Sequence, residues 1–486
     1  MSIIDFTTIR RSLASLDASA AHTASGDSRP KVEEIFAPEQ HAGALDPNVS
    51  IVLGARGAGK SFWAGVLGNE DTRIAAAEAY PHLGLDKLIV RFGFTGVMND
   101  GSISRPTIDS QVPVGEERTL ASLLWRCVLL RGMKSALHPG ATPAKISELM
   151  RQYRDPEDWE QECGKADHKL AQDGGKVLVI FDALDGLAVE WERLRRLIDA
   201  LLEVAWSTRG FRALRVKLFL RPDQMRDLGL RFVELPKLLA GATSLRWSKV
   251  DLYGMFFARL SAITDRNMQA VYTSLLEEEG VAPLRNVLKK LRNWPLAKDS
   301  EVQARVFTRL AGSFMGRGAK KGRTYDWPVK HLADGHGEVT PRSFLTLMIE
   351  AARHPPDPPS QAISAEGIRH GLREASKVRV NQLDLEFPWI KRVLAPLARL
   401  QVPCTAPVIK VRWEETQTIE AVMRRAEARE FLPPFNPETE GDRDKRLIET
   451  LVRIGVLFVR ADQRFDMPDL FRIAARLLKK GGVAPT

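Results

Sequence analysis

From residue 50 onward, short apolar runs alternate along the chain with stretches whose apolar residues recur at helical spacing. SIVLG (50–54) is a short apolar run that ends in glycine and gives way to a helical pattern, KSFWAGVLG. KLIVRFGF (87–94) reads as a second strand, VKLFL (216–220) as a fourth and TSLRW (243–247) as a fifth. The third, KVLVIFD (176–182), is continuously apolar until an aspartate closes it, as expected of a central strand buried on both faces. Residues 116–134 and about 189–204 place apolar side chains at i, i+3 and i+4, the helical period. Strands alternating with helices predict an α/β fold, a parallel sheet covered on both sides. The stretch 136–173 is polar, carries Pro139, Pro143 and Pro156, and reads as an insertion.

After 262 the strand signal fades. Residues 263–354 are helical in pattern and contain a basic glycine-rich stretch, GRGAKKGR (316–323). HPPDPPS (354–360) reads as a proline-rich linker. Beyond it, 361–400 is helical. A helix at about 444–454, a strand (VLFVR), a turn at Ala461, Asp462 and Gln463, a strand (RFDM) and a helix over 469–480 suggest a winged-helix-like unit. At the other end, residues 1–30 open on a short amphipathic helix and become Ala/Ser-rich, which reads as a flexible arm. The expected organisation is an arm (1–30), an α/β core (31–262), a helical segment (263–354) and a helical plus winged-helix-like region (361–486).

A chain of 486 residues exceeds what one hydrophobic core serves, in keeping with that division. The net charge of +10 permits contact with nucleic acid without requiring it, because basic faces are often merely solvated. Cys127, Cys163 and Cys404 form no C-x-x-C pair, which argues against a disulfide framework or a zinc knuckle and for a reducing, cytoplasmic setting. Asp5, Thr7, Thr8, Arg10 and Arg11 interrupt any signal-peptide pattern, and no apolar stretch is long enough for a membrane span. The tryptophans fall mostly in apolar helices and strands, where core packing is the default.

The candidate chemistry begins at the first strand. GARGAGKS (54–61) matches G-x-x-x-x-G-K-[ST] in full, between a strand and a helix. Gly54, Ala55, Arg56, Gly57, Ala58 and Gly59 would curl so that successive N–H groups face phosphate oxygens, and Phe62 follows in the helix that adds its positive end. Lys60 would place a compact charge on the outer phosphates, and the Ser61 hydroxyl is the expected Mg²⁺ ligand. A glycine turn that happens to precede Lys-Ser is the bland alternative. Such a loop needs a carboxylate at the end of a neighbouring buried strand to hold the metal, and Asp182 ends the third run. Many such ATPases follow that aspartate with a second acid; here the position is Ala183, and Asp185 is the nearest carboxylate beyond it. Asp185 is therefore the candidate to orient the attacking water, with a helix-capping role as its alternative.

At these residues the chain resembles the AAA+ and STAND divisions of P-loop ATPases. The resemblance implies an ATP- and Mg²⁺-dependent hydrolase in which residues 263–354 form a lid. It also implies a γ-phosphate sensor at the end of the fourth strand, where Arg221, Pro222 and Asp223 stand, with Arg221 the sensor. Thr340, Pro341 and Arg342 open an apolar-periodic helix as in a second sensor region, with Arg342 reaching the phosphates. Arg209, Arg212 and Arg215 are candidates for an arginine finger. GARGAGKSFW, FDALD, LRWSKVDLYGMFFARL and MPDLFRIAARLLKKGG also look like a group of bacterial ATPases of mobile-element conflict and antiviral defence. The sequence shows no nuclease, protease or NADase motif, so an effector would be a separate protein, and the chain could form a homo-oligomer. The alternative is a DNA-binding ATPase resembling Orc/Cdc6-type initiators. Duplex DNA would then meet Arg443, Lys445, Arg446, Arg453, Arg460, Arg464, Arg472, Arg476, Lys479 and Lys480, while Leu470, Ile473, Ala474, Leu477 and Leu478 form a core stripe. The 316–323 stretch is an alternative basic contact, with a mobile solvated loop as the other reading.

Overall fold

The computed structural model describes residues 4–18, 30–97, 101–222, 225, 232–284, 293–356, 358, 360–428, 430–435 and 441–485. It divides into two compact units, Ala20–Arg246 and Met1–Ser19 with Trp247–Thr486.

The Ala20–Arg246 unit is built on five parallel strands: β1 (Ile51–Leu53), β2 (Leu88–Phe94), β3 (Lys176–Phe181), β4 (Leu214–Leu220) and β5 (Thr243–Ser244). Their order is β2-β3-β4-β1-β5, with Val52 beside Phe219 and Val179 beside Val216. Every residue of β3 from Val177 to Phe181 is buried, which is why its sequence shows no alternation. The helix Glu117–Leu137 is held to the sheet by Trp125. The Trp125 ring meets Phe181 edge-on at 5.6 Å, and its indole N–H donates to the Leu197 carbonyl at 2.9 Å. One side chain thereby ties a strand to two helices, since Leu197 lies in Trp191–Ser207.

The polar stretch 136–173 is part of this unit's support. It forms the helices Ile146–Gln152 and Pro156–Gln172, which bury Leu149, Trp159, Cys163 and Leu170. Asp167 is buried too, and its carboxylate accepts the N–H groups of Arg212, Ala213 and Leu214 at 2.8, 2.7 and 3.0 Å. It caps the start of β4, so a residue that looks like surface polarity anchors the sheet.

The second unit begins ahead of the helix Lys249–Ser261, so the break falls at 246/247 and not at the 262 expected from periodicity. Its core is aromatic. Tyr253 has ring centroids 4.3 Å from Tyr325, 4.9 Å from Phe307 and 4.9 Å from Phe344. The helices Pro341–Arg353 and Ala365–Glu386 pack through glycines. A Cβ at Gly371 would lie 2.2 Å from the Leu347 carbonyl oxygen, and one at Gly367 would lie 2.5 Å from that of Ala351. Only a residue without a side chain lets the backbones approach so closely.

The proline-rich stretch between these helices lies within the unit and does not divide it. Arg10, buried in the helix Phe6–Ser15, donates from Nε to the Ala362 carbonyl at 2.9 Å. Its Nη2 donates to Gln361 and Pro358 at 3.0 and 3.1 Å. Ile9 and Leu13 of the same helix are fully buried, so these residues are packed and not a free arm. The rest of the expected arm, 19–29, lies outside the described residues.

Toward the C-terminus come the helices Ile390–Leu394, Ala406–Glu415, Thr418–Glu427 and Arg443–Arg453. An antiparallel pair follows, β7 (Phe458–Val459) with β8 (Phe465–Asp466). Cys404 bridges to Phe465 through mutual backbone bonds of 3.0 and 2.8 Å. The expected helix 469–480 stops early. Only Asp469–Arg472 is α-helical; Arg476 turns the chain at φ 59°, and Leu478–Lys479 becomes β9, parallel to β6 (Gln401–Val402). Leu478 is therefore 41% exposed and outside the core stripe. No helix among the described residues is long and apolar enough to cross a membrane.

Candidate functional site

The glycine-rich segment leaves β1 where Gly54 N–H donates to the Leu220 carbonyl at 3.1 Å. It closes a turn through Ala58 N–H to the Ala55 carbonyl, 3.1 Å, and enters the helix Lys60–Gly68. Gly57 and Gly59 have φ of 83° and 107°, a region that residues with a Cβ adopt only at a cost. The Lys60 ammonium folds back over the loop and donates to the carbonyls of Gly54 at 2.7 Å and Ala55 at 3.2 Å. Arg56 and Phe62 are half-buried, and Phe62 meets Trp63 edge-on at 5.3 Å.

Asp182 leaves the end of β3 with its N–H donating to Phe94 at 2.8 Å. The sheet order places β4 between this strand and β1, yet Asp182 lies near Ser61 and Lys60 of the loop that follows β1. Burial raises the Asp182 pKa, while the neighbouring Ser61 hydroxyl and the Lys60 charge pull it down. Its Oδ1 is buried with no hydrogen-bond partner among the described residues. A buried carboxylate oxygen without a partner is costly, and a cation is the usual resolution. The donor set is hard oxygen from a serine and an aspartate beside a phosphate cradle, which fits Mg²⁺.

Ala183 follows in the left-handed region at φ 51° and turns the chain into the short 3₁₀ segment Leu184–Gly186. That turn leaves Asp185 45% exposed, with Oδ2 3.4 Å from Nη1 of Arg221. Arg221 stands directly after β4. Lys60, Ser61, Asp182, Asp185 and Arg221 thus gather at the C-terminal edge of one sheet, where parallel α/β folds bind their ligands. Arg342 belongs to the other unit, at the second position of the helix Pro341–Arg353, behind the Thr340 cap.

The fold is α/β: a glycine-rich loop joins β1 to its helix, an aspartate closes a buried strand, and β4 separates the two in an all-parallel sheet. No family model and no curated protein matches the chain. Two solved structures align with the chain at low similarity. The Walker-type ATPase PABY2304 of Pyrococcus abyssi is 13% identical with a TM-score of 0.34, covering 91% of this chain and 97% of that one. The ORC2 protein of Aeropyrum pernix, in ADPNP and ADP complexes, is 12% identical with a TM-score of 0.29, covering 88% and 85%.

Around the P-loop, His41 and Trp63 were not foreseen. The Trp63 indole N–H donates to His41 Nδ1 at 3.3 Å, so Nδ1 must accept, because indole is a donor only. His41 Nε2 therefore carries the proton and donates to the Arg246 carbonyl at 2.9 Å. A fully buried neutral histidine thus anchors the P-loop helix to the last residue of its unit. His41 stands in no motif, so nothing in the sequence marks it.

Other basic residues are engaged away from the P-loop. Arg209 stacks over Trp206 at 3.2 Å, and Arg215 donates to Asn48, Phe211 and Leu214. Both, with Arg212, lie before or at the start of β4, the end of the sheet away from the loop. Among the C-terminal basic residues, Arg472 is fully buried, with Asp469 at 2.7 Å and the carbonyls of Leu477 and Val483 at 3.0 and 2.7 Å. It is a core residue and no DNA contact. Asp223 lies outside the described residues.

Proposed function

We propose that the chain binds ATP with Mg²⁺ at the P-loop and hydrolyses it to switch conformation. The observation that carries this reading is Asp182 Oδ1, buried and without a hydrogen-bond partner among the described residues, near Ser61 and Lys60 of the glycine-rich loop. Ser61 and Asp182 would hold the metal, which when bound neutralises phosphate charge and polarises the transferred group. Lys60 would exchange the Gly54 and Ala55 carbonyls for phosphate oxygens. Arg221, held by Asp185 in this structure, would turn to the γ-phosphate and free the carboxylate to orient water. By the sequence resemblance, Arg342 would serve as a second sensor.

Asp182→Asn tests the site. Removing one negative charge from the metal cluster is expected to weaken Mg²⁺-dependent nucleotide binding by about 10–100-fold, read by titrating a fluorescent ATP analogue with and without EDTA. Unchanged magnesium dependence would overturn the metal assignment. Asp185→Asn is expected to lower turnover by about 10²–10⁴-fold with ATP affinity retained; full turnover removes Asp185 as the base.

The biological setting suggested by the sequence resemblance is a bacterial mobile-element or antiviral conflict system, with a separate protein as effector and a homo-oligomer as the working form, in the cytoplasm. A second reading, a DNA-binding ATPase resembling Orc/Cdc6-type initiators, is favoured by the C-terminal topology. There the helix Arg443–Arg453 precedes an antiparallel pair whose turn carries Arg460 and Arg464, a winged-helix-like arrangement. Both turn arginines face Asp462, at 3.9 and 2.6 Å, which reduces the charge they present.

A further inference from the structure

A second charged site lies in the unit that follows Arg246, in a different segment from the C-terminal strand pair. Residues 314–323 form a small antiparallel hairpin. Phe314 bridges to Arg323, Met315 N–H donates to the Gly322 carbonyl at 2.9 Å, and Thr324 N–H donates to Ser313 at 3.1 Å. Its tip is the basic stretch seen in the sequence, and Arg317, Lys320, Lys321 and Arg323 are all exposed. None of the four has an ion-pair partner among the described residues.

The hairpin opens onto a cleft of about 620 Å³, which Arg323 also lines. Lys249, Arg305 and Arg309 stand on the cleft wall. Lys249 is paired with Asp326 at 2.7 Å, Arg305 with Glu279 at 3.3 Å, and Arg309 with Glu278 at 2.8 Å. The wall is therefore close to neutral and the hairpin supplies the excess of positive charge. Four unpaired cations on one small loop repel one another, and a polyanion relieves that repulsion.

The surface also says which polyanion. Single-stranded nucleic acid is held by successive aromatic rings on which bases stack. The cleft's aromatic, Tyr325, is 2% exposed, with its ring against Tyr253 and its hydroxyl donating to Gln303 at 2.6 Å. Phe314, 37% exposed at the hairpin base, is a single ring and makes no stacking track. Cations without stacking rings suit a phosphate backbone whose bases are already paired. We propose that the 314–323 hairpin and the adjoining cleft form a sequence-independent binding site for the phosphate backbone of duplex DNA.

The test uses the full chain and a fluorescent duplex of arbitrary sequence, with affinity measured by anisotropy from about 50 to 200 mM KCl. The quadruple variant Arg317→Gln, Lys320→Gln, Lys321→Gln, Arg323→Gln is expected to flatten the slope of log affinity against log salt by about 3–4. It should also lower affinity at low salt on the order of 100-fold, since each phosphate contact contributes about 0.9 to the slope. A variant neutralising Arg443, Lys445 and Arg446 reports separately on the C-terminal helix. The denaturation midpoint of the hairpin variant is expected to be unchanged, which shows that its unit is folded, and unchanged ATP binding separates the outcome from the nucleotide reading. Wild-type affinity and slope in the hairpin variant overturn the proposal, as does absence of duplex binding by the wild-type chain. Tighter binding of single strands, or equal binding of an acidic peptide of matched charge, overturns it in favour of another partner.

Discussion

Lys60→Ala is expected to lower ATP turnover by about 10²–10³-fold and to weaken ATP binding, without loss of the fold. The magnitude is that of removing one preorganised donor from a site of developing charge. The structure shows why the fold should survive. Lys60 Nζ is held by two loop carbonyls, Gly54 and Ala55, and the residue is half-buried, outside the apolar core. Loop shape itself rests on backbone geometry, with Gly57 and Gly59 at positive φ and Ala58 N–H bonded to Ala55. Phosphate release and binding of a fluorescent analogue read the two effects separately, with the denaturation midpoint as the control. Undiminished turnover and affinity would mean that the loop is a structural turn. Lys60→Arg should not rescue turnover fully, because a planar guanidinium cannot act as a compact point charge.

The second large effect is on stability. Gly371→Ala places a methyl group where the Leu347 carbonyl oxygen would be 2.2 Å away. In an open helix the same change gains about 1 kcal/mol from helix propensity. Here the collision is with backbone, which cannot swing aside, and overpacking of this kind costs about 1–3 kcal/mol or more. The clash outweighs the propensity gain, so the midpoint of denaturation falls. Gly164→Ala supplies the contrast. Gly164 lies in the helix Pro156–Gln172 with nothing within 4 Å of an added Cβ, and its substitution should raise stability by up to about 1 kcal/mol. Opposite signs from one chemical change are the signature of the glycine seam; equal signs would show that the two helices can part.

The P-loop and its aspartate were legible because their signals are local. Spacing defines the loop, and an unbroken apolar run ending in Asp182 defines a buried strand and its tip. The tip's chemistry was legible only in part: Ala183 marks a missing acid, but its left-handed φ, which turns Asp185 toward Arg221, is written in no residue preference. Long-range pairings were not legible at all. Asp167 looks like a solvated helix residue until it caps β4, 45 residues on. Arg472 looks like surface charge until Asp469 and two carbonyls enclose it. The expected last helix failed for a related reason. Its apolar spacing continues past Arg472, but pairing of Leu478 and Lys479 with Gln401 and Val402 outweighs local preference. The proline-rich stretch misled in the other direction, since composition reports a linker and cannot report Arg10.

Arg10 and the carbonyl it holds at Ala362 are separated by 352 residues, and a whole unit, Ala20–Arg246, lies between them. Synthesis runs from one end, so the helix Phe6–Ser15 leaves the ribosome well before the residues that seat it. At about 5–20 residues per second the wait is roughly 20–70 s. During that time Ile9 and Leu13, fully buried in the finished protein, have nothing to pack against, while the P-loop unit is free to fold around its own sheet. The nascent chain therefore carries an unsatisfied apolar helix ahead of the P-loop unit. Order of birth and order of folding are reversed at the two ends of the second unit.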